Sequence, residues 1–137
     1  MRFADTNVLL YAIARDPGEQ TKAARANELL AEQDLALSVQ VLQEFYVQAT
    51  RASRPDRIAH DQAVRLIEAF QRYPVAEITT GVMRAALATR ERFGISYWDA
   101  AILEAARALG CEVVLSEDLS DSTDYAGVRV ENPFRGL

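Results

Sequence analysis

Apolar positions along this chain come in short blocks that switch between the helical and the extended period, and the switching outlines an α/β fold. Phe3 and Ala4 suit a short buried strand over Arg2–Asp5, and Asn7 stands where it can cap a helix opening at Val8. Asp16-Pro17-Gly18 then breaks the chain, and Glu19–Glu32 resumes with helix formers, Leu29 and Leu30 being its largest apolar residues. Leu35-Ala36-Leu37 is a compact run of strand type, and Ser38 caps a helix that continues to Ala49. On that helix Leu42, Phe45, Tyr46 and Ala49 share one face, while Glu44 projects at its edge in line with Gln40, Gln48 and Arg51. After a second break at Arg54-Pro55-Asp56, Ala63, Leu66, Ile67 and Phe70 recur at helical spacing, with Pro74 beyond the end. Val75–Ile78 reads as a third strand, Thr80 as a cap, and Val82–Phe93 as a helix stopped at Gly94, where a left-handed residue is needed. Ser96 begins a helix that ends before Gly110. Glu112–Ser116 and Val128–Val130 supply a fourth and a fifth strand, with an acid-rich polar loop between them.

Strands separated by helical segments imply parallel neighbours, right-handed crossovers and helices on both faces of the sheet. The expected architecture is therefore a three-layer, Rossmann-like α/β fold with a five-stranded parallel sheet, formed by residues 1–137 as a single domain. In such sheets the binding crevice lies beyond the carboxyl ends of the strands, where the strand order reverses. Asp5 and Asp118 both follow expected strands.

Composition narrows the function classes. Half the residues are hydrophobic and 26% are charged, an ordinary balance for a folded soluble protein. No apolar run is long enough to span a bilayer, and Val8–Ala14 lacks the cleavage signature of a secretory leader, so a cytoplasmic protein without a membrane partner is expected. Cys111 is the only cysteine and lies between a helix signal and an apolar strand, the setting of a buried, inert thiol. The net charge of −5 speaks against a nucleic-acid partner until the acids are placed. Should Asp5, Glu44, Asp99, Asp118 and Asp121 gather around a cation, the remaining surface would hold acids and bases in equal number. The bases are arginines apart from Lys22, and Arg51, Arg54 and Arg57 form either a phosphate grip or a solvated cluster beside a proline turn.

Each acid has a structural explanation to set against a chemical one. Asp5 in Asp5-Thr6-Asn7 is good turn and capping chemistry, and Asp99 in Ser96-Tyr97-Trp98-Asp99 fits an acidic capping box. Yet Asp99 heads the apolar stripe of Ile102, Leu103 and Ala106, where a carboxylate without a partner is costly. Glu44 alone is a helix-edge acid. Asp118 and Asp121 lie in a loop, and Asp118 is favoured by its position after a strand, whereas Asp124 reads as a turn acid. His60 opens a helix with no second histidine to work with and is assigned no chemistry. Several oxygen ligands without histidine or cysteine call for a hard cation, magnesium or manganese, rather than zinc. Such an ion supports hydrolysis of a phosphodiester by activated water.

The motifs Asp5-Thr6-Asn7-Val8-Leu9-Leu10-Tyr11-Ala12, Val39-Gln40-Val41-Leu42-Gln43-Glu44-Phe45-Tyr46, Ser96-Tyr97-Trp98-Asp99-Ala100-Ala101, Ser116-Glu117-Asp118-Leu119 and Val128-Arg129-Val130-Glu131-Asn132-Pro133-Phe134, in this order, resemble a PIN domain. More narrowly, they resemble the VapC toxins of bacterial toxin–antitoxin pairs. The resemblance implies a magnesium-dependent endoribonuclease, with Mn2+ as a possible substitute for Mg2+. It implies Asp5, Glu44, Asp99 and Asp118 as the acidic quartet, Asp121 as a further metal ligand or supporting group, and Thr6, Asn7 and Ser116 as polar support. A homodimer, an RNA substrate and a small VapB-like antitoxin complete what it implies. One departure is Ser122, where glycine often follows the second loop acid in the family pattern; it bears on the loop and on Asp121.

Two other readings compete. A receiver domain or an aspartyl phosphatase also places acids after strands, but these want further early acids and a late lysine, whereas Lys22 is early and alone. A non-catalytic PIN-like module binding RNA or protein is the alternative function; loss of a quartet acid would have favoured it, and none is lost.

Overall fold

The computed structural model describes residues 1–137. In chain order its elements are β1 (Arg2–Ala4), α1 (Thr6–Ala12), a 3-10 turn at Pro17–Glu19, α2 (Gln20–Glu32), β2 (Leu35–Ser38), α3 (Val39–Ala49), α4 (His60–Phe70), β3 (Val75–Ala76), α5 (Thr80–Phe93), α6 (Tyr97–Ala108), β4 (Val113–Leu115), β5 (Asp124–Tyr125) and β6 (Val128–Glu131). The sheet order is β3-β2-β1-β4-β6-β5. All pairings are parallel except that of β5 with β6.

The expected α/β fold with a largely parallel sheet is what forms, with one correction: the sheet has six strands rather than five. The additional strand, β5, lies in the stretch read as a polar loop. Its two residues turn back along β6, pairing Asp124 with Arg129 and Tyr125 with Val128. Asp124 does act as a turn acid, since its carboxylate accepts from the Gly127 amide at 2.7 Å.

Two helix starts move by a residue or two. Asp5, not Asn7, is the N-cap of α1, because the chain passes from strand to helix without a loop and the Asp5 carboxylate takes the Thr6 amide. Thr79, not Thr80, caps α5 by accepting from the Val82 amide at 3.1 Å. Gly94 ends α5 in the left-handed region at φ 68°, with its N–H on the Arg90 carbonyl, as its position required. The third strand is shorter than expected: β3 stops at Ala76 on the sheet edge, and Ile78 is exposed.

The core forms where the two sheet faces meet the helices. Phe3, Leu35, Leu37, Val114 and Leu115 are sealed from solvent on the strands, facing Leu9, Leu29, Val41, Phe45 and Leu103 on the helices. Phe45 packs edge-on against Phe70 with ring centroids 5.3 Å apart, which ties α3 to α4. Cys111 is buried at the start of the segment leading into β4, where burial pushes its thiol pKa up. No helix is long and apolar enough to cross a membrane.

Candidate active site

Strand order reverses at β1, whose neighbours β2 and β4 carry the chain to opposite sides, so the crevice belongs at the carboxyl ends of β1 and β4. Register makes that crevice polar. Ala4 pairs with Leu115, and one step further Asp5 and Ser116 come side by side. The Asp5 amide donates to the Leu115 carbonyl at 3.0 Å, and the Ser116 hydroxyl donates to the Asp5 carboxylate at 2.8 Å. Asp5 is 8% exposed and Ser116 fully buried.

The other acids reach this point from separate elements. Thr6, on the first turn of α1, donates its hydroxyl to Glu44 of α3 at 2.7 Å. Gln40, one turn earlier on α3, donates to Glu44 at 3.0 Å and to the Trp98 carbonyl at 3.3 Å, which joins α3 to the residue preceding Asp99. Asn7 donates its amide to Asp118 at 2.8 Å. The Ser116 Oγ also accepts from the amides of Asp118 and Leu119 at 3.1 and 3.2 Å, fixing the turn after β4. Asp99 stands in the first turn of α6, its amide on the Ser96 hydroxyl at 3.1 Å. Ile102, Leu103 and Ala106 below it are buried, so it does head an apolar stripe.

Electrostatics links the four acids. Burial, first of all, pushes the Asp5 carboxyl up to about 6; the Thr6 amide and Ser116 hydroxyl work against the rise, and the charges of Asp118 and Glu44 add to it. Asp118 is raised too, by desolvation first, then by Glu117, Asp99 and Glu44, with the Asn7 hydrogen bond opposing. None of the molecule's ion pairs includes Asp5, Glu44, Asp99 or Asp118. The cluster is a concentration of negative charge without a cation of its own.

Asp121 is placed differently. One of its oxygens accepts from the Asn132 amide at 2.8 Å and the other pairs with Arg135, so its carboxyl is lowered, by Asn132 first. It holds the loop to the segment after β6 and is not joined to the quartet. Ser122 takes a left-handed φ of 65°, which explains why glycine suits that position in the family pattern. His60 is exposed and bonded to the Tyr46 hydroxyl at 2.9 Å. Of the three arginines, Arg54 pairs with Asp56 at 2.9 Å and Arg57 donates to the Ala52 carbonyl at 3.1 Å, so these two serve their own loop. The bridge made by Gln40 was not foreseen. Its place on the same helix row as Glu44 was visible, but its second partner, Trp98, lies 58 residues away.

The donor chemistry suits a hard divalent cation, since the cluster offers carboxylate, hydroxyl and amide oxygens and neither imidazole nor thiolate. No three acids stand as a ready-made coordination cage. Like-charged carboxylates instead separate onto the hydrogen-bond donors of Thr6, Gln40, Asn7 and Ser116.

A mostly parallel sheet between helical layers, with acids lining the crevice at its switch point, defines the class: a Rossmann-like α/β protein. The PIN domain model matches residues 2–120, and the chain belongs to the PIN-domain family. No curated protein sequence matches it. Among solved structures, it is similar to a toxin–antitoxin complex from Klebsiella pneumoniae (20% identity, 98% of each chain covered, TM-score 0.69). It is also similar to VapC20 of Mycobacterium tuberculosis, described as a sarcin–ricin loop cleaving toxin (18% identity, 86% of this chain and 92% of that one, TM-score 0.66). A third is the DNA-bound VapBC of Salmonella typhimurium (19% identity, 96% and 97% covered, TM-score 0.68). At these identities the likeness is one of fold.

Proposed function

We propose that this protein is a magnesium-dependent endoribonuclease and the toxin half of a toxin–antitoxin pair. The observation that carries the reading is the placement of Asp5, Glu44 and Asp118 on the neighbouring donors Ser116, Thr6 and Asn7, with Gln40 tying α3 to the Trp98 carbonyl beside Asp99, at the switch point of a PIN fold. Its support from relatives is that structures of the same fold include a sarcin–ricin loop cleaving toxin and toxin–antitoxin complexes.

In this reading Asp5, Asp99 and Asp118 hold the ion and Glu44 completes the acidic quartet. When bound, a magnesium ion supplies Lewis-acid stabilisation to a phosphodiester under attack and makes the attacking water more acidic. The chain's own groups prepare for this. Ser116 and Thr6 orient Asp5 and Glu44, and Asn7 holds Asp118 on the same side of the crevice. The Asp5 carboxyl, raised to about 6, ionises fully only near neutral pH, so these residues would hold a cation more weakly in acid. Glu44, kept in place by Thr6 and Gln40, is the acid placed to accept a proton from water. Asp121 is a clamp on the loop through Arg135 rather than a ligand, and a homodimer and a VapB-like antitoxin are the partners the reading brings with it.

The test is cleavage of a structured RNA by purified protein. Cutting is expected with magnesium, loss of cutting in chelator, and loss of at least a hundredfold in Asp99→Asn with an unchanged circular dichroism spectrum. Undiminished cutting by Asp99→Asn, or cutting that persists in chelator, would remove the acidic crevice as the site.

A further inference from the structure

Adjacent acids on the turn after β4 part company: Asp118 reaches into the crevice toward Asn7, while Glu117 turns outward to α1 and α2. There it meets Lys22, the only lysine of the chain. The Tyr11 hydroxyl donates to one Glu117 oxygen at 2.8 Å, and the Lys22 ammonium donates to the other at 2.9 Å. Lys22 also reaches the Tyr11 oxygen at 3.2 Å and lies 4.9 Å from the centre of the Tyr11 ring. The ring is itself braced edge-on by Phe134 at 4.8 Å. Each of the three groups thus satisfies the other two, and the lysine and glutamate side chains are only 26% exposed.

We propose that Tyr11, Lys22 and Glu117 form a clamp that positions Asp118, so that Lys22 is a positioning residue for the nuclease reaction. The inference rests on the nuclease reading for its functional half and on geometry for the other. The turn of Ser116–Leu119 is only four residues long, with no helix or strand of its own to stiffen it. Ser116 secures it from beneath through two amides, and the clamp secures it from the side through Glu117. With both anchors in place the Asp118 backbone is fixed on two sides. Without the clamp, the turn swings about Ser116 and Asp118 loses its register with Asn7. The ammonium also balances the Glu117 charge, which otherwise adds to the negative field at Asp118.

A different role is open to the chain's one lysine, namely direct contact with RNA phosphate. The two roles separate experimentally. A positioning role predicts that Lys22→Met lowers kcat roughly ten- to hundredfold while KM stays nearly constant, since sub-ångström misplacement acts on the chemical step. Lys22→Arg, which keeps a cation on Glu117, restores most of the rate. Adding Glu117→Gln to Lys22→Met costs little more, because both remove one device. A phosphate contact instead predicts a raised KM, a weaker salt dependence and effects that add; that pattern would overturn the clamp.

Hydrogen exchange keeps the test independent of catalysis. In Lys22→Met the amides of Asp118 and Leu119 are expected to exchange faster, while those of β1 and α3 are unchanged. Unaltered exchange at Asp118 and Leu119 overturns the clamp even if the wild type cuts RNA. Faster exchange there supports the clamp's geometric half even if RNA cutting fails and the nuclease reading falls.

Discussion

Asp5 is the residue on which fold and chemistry pull in opposite directions. Its backbone and carboxylate start α1, yet its ordinary pKa of 3.8 is raised to about 6 by burial and by neighbouring acids. A carboxyl raised on folding binds its proton more tightly in the folded state. Its contribution is therefore present at low pH and is lost as pH rises through the interval between about 4 and 6. Denaturation of the metal-free protein and of Asp5→Asn, which cannot ionise, measures this term together with its coupling to Asp118 and Glu44. Wild-type stability is expected to fall relative to the variant by up to about 3 kcal/mol between pH 4 and 7. A difference that does not vary with pH would mean that Asp5 ionises freely. In the sequence Asp5 stands out as a candidate ligand within a capping motif whose cap reads as Asn7; the side-by-side placement of Asp5 and Ser116 needed the strand register. Position after a strand favours Asp118 over Asp121 in the sequence. What the sequence could not show is the return of Asn132 and Arg135 to the loop, which occupies both Asp121 oxygens.

Among the elements, those with a strong period were legible and those held by distant polar contacts were not. Helix α4 announced itself through Ala63, Leu66, Ile67 and Phe70, and α6 through Ser96 and its apolar stripe. Strand β5 had no such signal, since two residues cannot display a period. Its place comes from α6. Glu104 is buried and accepts from Thr89 of α5 at 2.8 Å and from Arg107 at 2.9 Å. Arg107 continues to the carbonyls of Tyr125 and Ala126 at 2.8 and 2.7 Å, and Phe93 packs edge-on against Tyr125 at 5.1 Å. Arg107→Ala would leave the Glu104 carboxylate with the Thr89 hydroxyl alone. A loss of about 2 kcal/mol is expected, less than for a fully buried pair because Arg107 is partly exposed. Amide exchange should quicken in β5 and its turn while β1 and β4 stay protected; uniform protection would show that β6 alone secures the hairpin.

At the scale of the whole molecule, the crevice is assembled from residues far apart in the chain: Asp5, Glu44, Asp99 and Asp118 follow β1, lie on α3, open α6 and follow β4. The acids so gathered are part of a net charge of −5. If the toxin reading holds, expression in bacteria arrests growth, Asp99→Asn does not, and coexpression of a short neighbouring reading frame relieves the arrest. Normal growth in cells that contain soluble, RNA-cutting protein would remove the toxin half of the reading and leave the nuclease.

The sheet order has a further implication for synthesis. Strand β4 lies between β1 and β6, yet the ribosome delivers it after β1, β2, β3 and all six helices. Until it arrives, one side of β1 offers unsatisfied amides and carbonyls, and Asp5 lacks Ser116. A nascent chain that has completed α6 thus carries three of the four acids but no closed crevice. The last of these acids arrives just after β4, so if the nuclease reading holds, the crevice closes only when most of the chain has been made.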